Sequence, residues 1–278
     1  MTTTTSTPSS TAGPFPDFVD GPPGSRLSWA VSDAMAITGR NLLTYVRLPQ
    51  LLVFSTIQPV IFVLIFRYVF GGAIDVPGES YVNFLIPGIF VQTVAFGAMG
   101  TAIGLAEDLR KGLLERFRSL PMARSAVLAG RTAADLVRNV FVVLLMATVG
   151  FLVGFRVQTG VPAFIAGVAV LLFFGYALCW VFALIGLGAS NAETAQAASF
   201  PLLAILVFAS AVFVPIETMP GWLQAYAEHQ PVSVTAEAAR ALMLGGPTTS
   251  AVVQSLAWSL AILAVFAPLA VRRYRRTT

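Results

Sequence analysis

Charge is what this chain has least of. Only 11% of its 278 residues are Asp, Glu, Lys or Arg while 56% are hydrophobic, and the mean hydropathy is +0.80. An ordinary soluble domain carries roughly 25% charged residues, so a soluble globular enzyme is excluded and a membrane chain is indicated. Cys179 is the only cysteine and sits inside an apolar run, which rules out an intrachain disulfide and a cysteine metal site and leaves a packing role. The only lysine, Lys111, lies between Arg110 and Gly112. A phosphate-binding loop needs Gly-Lys-Ser/Thr, in which backbone amides cradle the phosphates and the lysine reaches them, so that machinery for ATP hydrolysis is missing. The only histidine, His229, stands beside Glu228 with no Ser or Cys nucleophile placed with it, and no HExxH or other metal-ligand cluster occurs. Carboxylates are absent from the middle of the apolar runs, which argues against an autonomous proton-coupled transporter. Any pumping energy has to come from a separate protein. The basic residues flank apolar runs instead of forming one stripe, so no nucleic-acid partner is implied.

What is present is organised around one charged island, Gly104 to Leu136. Within it Leu109, Leu113, Phe117 and Leu120 fall at helical spacing on one face, with Arg110, Lys111, Glu115, Arg116 and Arg118 around the other sides. That pattern predicts a short amphipathic helix stopped by Pro121. Gly112, unfavourable in a helix by about 1 kcal/mol relative to Ala, marks a bend between a membrane helix and this surface helix.

Residues 1–25 are rich in Thr, Ser, Pro and Gly and lack an apolar core, as expected of a disordered cytosolic tail and not of a signal peptide. Residues 26–49 predict an interfacial helix, because Leu27, Val31, Met35, Leu42 and Val46 keep helical spacing while Arg26, Asp33, Arg40 and Arg47 fall elsewhere. Residues 50–278 then hold six apolar runs, near Leu51–Phe70, Val82–Leu105, Val140–Phe155, Pro162–Leu187, Ala197–Val214 and Ala251–Val271. About twenty helical residues cross a hydrocarbon core of roughly 30 Å, so the fold class is an all-α polytopic membrane protein with six spans. The third run needs Asp135 and Arg138 to snorkel at its inner end. Pro59, Pro87 and Pro201 suggest kinks, and the Gly100/Gly104 and Gly150/Gly154 spacings suggest close helix packing.

Arginines cluster before the first run, between the second and third, and after the sixth, and only Arg67, Arg156 and Arg240 fall to the other side. The positive-inside rule therefore places both termini and the central loop in the cytoplasm. Pro215 to Pro247 becomes the largest outer segment, too apolar for a free loop. Trp222, Leu223 and Tyr226 share a face after Pro220, Pro231 breaks that helix, and Thr235 with Glu237 starts a second piece ended by Gly245 and Gly246. The expectation is a re-entrant helical hairpin in which Glu217, Trp222, Tyr226, His229 and Pro231 form an outer gate or, on the plainer reading, an interfacial anchor. Glu193, in a short inner turn, reads as a helix cap, or else as a second contact with an ATPase.

The island GLAEDLRKGLLERFRSLPMARSAVLAGRTAADL resembles the cytosolic loop of ABC-2 type transporter permeases, and Ala211 to Gly246 resembles the outer segment of the daunorubicin-resistance branch of that family. The resemblance implies the membrane subunit of an exporter in the plasma (inner) membrane, working as two chains, each a copy of this one or of a similar permease. An ABC ATPase subunit would bind ATP and Mg beneath each chain, which itself carries no cofactor. It further implies that Gly112 to Pro121 form a coupling helix, with Leu113, Phe117 and Leu120 planted in a cleft of the ATPase while Glu115, Arg116 and Arg118 pair around its rim. The family's small Ser-Gly element near the end of the fifth span is replaced here by FASAVFVP, Phe208 to Pro215. Amphipathic drugs, lipids and glycolipids all suit such spans, with membrane lipid as a further partner. A passive channel or scaffold, or an intramembrane enzyme, are the rival functions.

Overall fold

The computed structural model describes residues 26–47, 49–74, 76, 79–112 and 124–277, and every regular element among them is helical. The order is α1 (Arg26–Arg47), α2 (Pro49–Leu64) running on as a π-helical stretch (Ile65–Phe70), α3 (Tyr81–Arg110), α4 (Arg124–Val153), α5 (Val161–Gly186) and α6 (Ala192–Phe208). A 3₁₀ turn (Ile216–Thr218), α7 (Gly221–His229), α8 (Pro231–Leu244) and α9 (Thr248–Thr277) complete it. Four helices, α3, α4, α5 and α9, are long and apolar enough to cross a membrane, while Ser55–Phe70 and Ala192–Phe208 are shorter apolar helices.

The central element is α3. Its side chains from Phe84 to Ala95 are buried on every face, against α5, α6, α4 and α8. That explains why the segment is apolar all round instead of striped. Between helices in lipid the hydrophobic effect gives little drive, so shape and dispersion decide the packing, and small residues mark the closest approaches. At Gly186 a Cβ would lie 2.5 Å from the Ala102 carbonyl oxygen, which brings α5 onto α3 backbone to backbone. Further along α3, Leu85, Ile86, Ile89 and Phe90 share one buried cluster with Leu171, Phe174 and Phe182 of α5. Opposite faces of α2, α4 and α9 present Ile57, Ile61, Phe141, Leu144, Trp258 and Leu260 outward, the apolar belt expected of a surface that meets acyl chains.

The observed elements shift three expectations. The helix that holds the third apolar run begins sixteen residues before that run, because α4 starts at Arg124 and carries Arg131, Asp135 and Arg138 as part of the helix. The second half of the hairpin begins at Pro231, not at Thr235. Proline lacks an N–H and its fixed φ suits the first helical turn, and the Gln230 side chain accepts from the Val232 amide at 3.4 Å. The cap of α6 is Asn191, whose Oδ1 accepts from the Thr194 amide at 2.8 Å, so Glu193 stands exposed in the first turn beside the positive end of the helix dipole.

Candidate functional site

Asp135 is fully buried on α4, and the sequence around it explains how. Arg131 lies one turn before it and Arg138 one turn after, so the three charges share a helix face. Arg131 Nε is 3.5 Å from Oδ2 and Arg138 Nη1 is 3.9 Å from Oδ1. Two hydroxyls complete the shell, since Thr101 of α3 donates to Oδ2 at 2.6 Å and Tyr45 of α1 donates to Oδ1 at 2.8 Å. Burial, and then the carboxylate beside it, pushes the Tyr45 phenol up to about 12, so it remains a donor at any physiological pH. Arg131 reaches on to Asp108 of α3 at 3.3 Å, and Arg40 of α1 approaches the same carboxylate at 3.9 Å. One lattice thus ties α1, α3 and α4 together. Asp135 and Arg138 do not snorkel: each is enclosed and paired inside the helix bundle.

The same lattice reassigns two glycines. Side chains at Gly100 and Gly104 would overlap the Arg138 and Arg131 guanidiniums, so this small-residue stripe on α3 makes room for arginines, not for another backbone. Helix α1 docks through Ile37, Asn41 and Tyr45, with Thr38 Oγ1 donating to the Gly130 carbonyl at 3.1 Å. Of its predicted apolar stripe, Val31 and Met35 face out, Met35 being 63% exposed, as an interfacial helix requires.

Beyond Arg138 the polar seam opens into a cavity of about 200 Å³ between α2, α3 and α4. Gln58, Gln92, Arg138 and Asn139 line it among Phe96, Met99 and other apolar groups. Gln92 and Asn139 are 1% and 2% exposed, yet Gln92 Oε1 and Asn139 Nδ2 have no hydrogen-bond partner. Arg138 Nη2 is occupied, donating to the Gly97 carbonyl and to Asn139 Oδ1. Asn139 Nδ2 lies towards Gly175 of α5.

At the other end of α3, Arg240 of α8 is buried instead of marking an exposed loop. Its Nε donates to the Phe84 carbonyl at 2.9 Å, and its Nη2 to those of Ala211 and Val212 at 2.5 and 3.1 Å. Its Nη1 meets Glu237 at 2.6 Å, and the guanidinium lies 3.6 Å over the Phe84 ring. The chain after α6 leaves the helix at Phe208, so the carbonyls of 211 and 212 lack helical partners, and one side chain satisfies both. Gly88 permits the approach, because a Cβ there would overlap the Val212 carbonyl. Ala209 to Pro215 is further clamped by aromatic stacking of Phe213 on Phe66 at 4.5 Å.

The structure spreads the predicted outer residues over the hairpin without joining them. Trp222 is 76% exposed and Tyr226 40%, both on α7. His229 Nδ1 lies 3.1 Å from the Ala225 carbonyl, Glu217 is exposed in the 3₁₀ turn, and Pro231 opens α8. At the opposite end, Gly112 closes α3 with a φ of +66°, its amide bonded to the Leu109 carbonyl at 3.0 Å. Leu113, Glu115, Arg116, Phe117, Arg118, Leu120 and Pro121 lie outside the described residues. Sequence reasoning missed Tyr45, Gln92, Asn139 and the anchoring role of Arg240. The i−4 and i+3 arginines around Asp135 were the one legible signal of the lattice.

The family model for ABC-2 type transporters matches residues 33–244, which takes in the lattice, the cavity and the hairpin. The chain belongs to the ABC-2 type transporter family. It is 38% identical over 246 residues to the daunorubicin resistance ABC transporter permease protein DrrB1 of Streptomyces coeruleorubidus, covering 88% of this chain and 87% of that one. It is 30% identical over 251 residues to the probable doxorubicin resistance ABC transporter permease protein DrrC of Mycobacterium tuberculosis, covering 89% and 90%. The putative transport permease ycf38 of Pyropia yezoensis is 26% identical over 231 residues, with 76% and 74% covered. The ABC-2 chain described here is therefore a multi-pass membrane transport protein similar to drug-resistance permeases. Its long apolar helices and outward belt are the physical form of that membership.

Proposed function

We propose that this chain is the membrane-spanning permease subunit of an ATP-driven exporter that moves an amphipathic drug, lipid or glycolipid out of the cytoplasm. What carries the reading is the pairing of an ABC-2 membrane domain, matched over residues 33–244, with a sequence that holds no phosphate-binding loop. Two such chains, identical or similar, assemble in the plasma membrane over two ATPase subunits, and ATP and Mg bind to those subunits. Each chain crosses six times with both termini and the 104–136 segment in the cytoplasm. The four long helices supply four crossings, and α2 with its π-helical extension and α6 supply the other two.

In this reading Gly112 to Pro121 couples to the ATPase, with Leu113, Phe117 and Leu120 as apolar anchors and Glu115, Arg116 and Arg118 as the charged rim. The lattice centred on Asp135 supports it mechanically: α3 and α4, which flank the coupling segment, are locked to each other and to α1, so a push on the segment moves them as a unit. At the other end α8 is fixed by Arg240, whereas α7 packs mainly on the turn before it and the helix after it. We assign α7, with Trp222 and Tyr226, to the membrane interface as an anchor of the hairpin.

The deciding experiment is coexpression with candidate ATPases followed by affinity purification and export from inverted vesicles. Wild-type chain should copurify with one ATPase and export in an ATP-dependent way, and Leu113→Asp/Phe117→Asp should abolish both while the chain still inserts, because buried anchors dominate such interfaces. Retained copurification and export in the double variant would leave this segment as a helix lying on lipid headgroups.

A further inference from the structure

We propose that the cleft between the ends of α5 and α9 binds the phosphate of a net-anionic phospholipid, with Arg272 and Arg276 of α9 as its ligands.

Leu269, Arg272, Arg273 and Arg276 follow one another at i, i+3, i+4 and i+7, so they share one face of α9, and with Leu184 of α5 they line a cleft there. The neighbouring face of the helix is taken up by packing, since Ala270 and Tyr274 are buried in one cluster with Trp180 and Leu187. The arginine face is therefore fixed in direction. A Cβ at Gly188 would overlap the Arg273 guanidinium, which sets that side chain against the turn ending α5. Arg272 and Arg276, one turn apart, are exposed, and among the described residues neither has an ion pair and no carboxylate lines the cleft.

Like charges one turn apart on a helix repel, and an anion seated between them removes the repulsion. A guanidinium suits phosphate best, because its planar fork donates two parallel N–H bonds to phosphate oxygens. Depth names the source of that phosphate. The apolar run Ala251–Val271 rises about 30 Å, the thickness of a hydrocarbon core, so Arg272, the next residue, stands level with the headgroups. Leu269 lies one turn back towards that run, so the cleft is cationic at the headgroup level and apolar below it. A glycerophosphate with its first acyl methylenes fits both parts, whereas a free phosphate leaves the apolar part unused. A zwitterionic headgroup would bring its own cation to the same arginines, which selects a net-anionic lipid. Helix-dipole and topology effects also favour arginines at this end of α9, but they act on Arg275 equally, and Arg275 does not line the cleft.

The test titrates the purified full chain in neutral detergent with phosphatidylglycerol and with phosphatidylcholine of the same acyl chains, reading bound lipid by native mass spectrometry. Neither ATP nor an ATPase is present, so the outcome is independent of the exporter reading. Phosphatidylglycerol should bind at least about tenfold more tightly, the scale of two arginines beside an anionic headgroup. Arg272→Gln/Arg276→Gln should bring the two lipids within about twofold of each other, whereas Arg275→Gln should keep the wild-type preference, and thermal unfolding verifies that both variants fold. Glycerol phosphate, the same anion without acyl chains, should not displace the bound lipid. Equal binding of the two lipids by the wild type, or a preference lost as much in Arg275→Gln as in the double variant, would reduce the cleft to diffuse attraction and overturn the assignment. Displacement by glycerol phosphate would make it a site for a soluble phosphate. Equal lipid binding together with loss of a copurifying ATPase in the double variant would give this face to a protein partner and overturn the lipid site as well.

Discussion

Replacing Asp135 by Asn keeps the shape of the side chain and removes the charge that Arg131 and Arg138 share. Both guanidiniums are almost wholly enclosed, with side chains 15% and 9% exposed, so neither can turn to water. Breaking a buried pair by deleting one partner costs about 3 to 5 kcal/mol, and here two cations lose their partner at once. The Thr101 and Tyr45 hydroxyls can still bond the amide oxygen, which trims the loss but cannot offset charge. We expect Asp135→Asn to lose at least about 3 kcal/mol in reversible unfolding of the detergent-solubilised chain by SDS. Removing the surplus cation as well should recover part of it, so Asp135→Asn/Arg138→Gln should be more stable than Asp135→Asn alone. The half-buried Glu107, paired with the exposed Arg110 and Lys111 at the surface, supplies the control: Glu107→Gln should change unfolding by far less than Asp135→Asn does. A loss under about 1 kcal/mol for Asp135→Asn, or a double variant as unstable as the sum of the single ones, would show that the lattice is not electrostatically coupled.

The hairpin anchor is tested by Arg240→Met, which strands the carbonyls of Phe84, Ala211 and Val212; at about 1 to 3 kcal/mol for a buried unsatisfied group, proteolysis between α6 and α8 should rise well above wild type, and unchanged cleavage would refute the anchor. Gly186→Ala should cost about 1 to 3 kcal/mol in the same SDS unfolding assay by forcing α5 off the Ala102 backbone, and a neutral result would mean the helices can separate there freely. Topology is checked in a Cys179→Ser background, where an impermeant thiol reagent on whole cells should label Glu228→Cys and spare Lys111→Cys; the reverse pattern would invert the orientation. The purified chain, freed of any ATPase, should show no ATP turnover, and measurable turnover would end the subunit reading.

Local chemistry in the sequence was enough for the helical, membrane-embedded character, both ends of α5 and the start of α3 within one residue, the hairpin broken at Pro231, and the membership signal carried by Gly104 to Leu136. These follow from hydropathy run length, proline and glycine placement and arginine distribution, all of which act within one or two turns. What the tertiary structure decided is where polarity goes once the helices meet. Hydropathy averages over a window, so it ended the run short of Asp135 and could not show that Arg131 and Arg138, one turn away on either side, pair with that carboxylate inside the helix bundle. Arg240 looked like an outer loop charge because nothing near it in the chain discloses that the carbonyls of Ala211, Val212 and Phe84 would converge on it from up to 156 residues away. Gln92 and Asn139 are ordinary polar interruptions in sequence. Only the packing of α3 against α4 buries both of them beside one cavity, because a helix assigns each side chain a face but not the neighbour that face will meet.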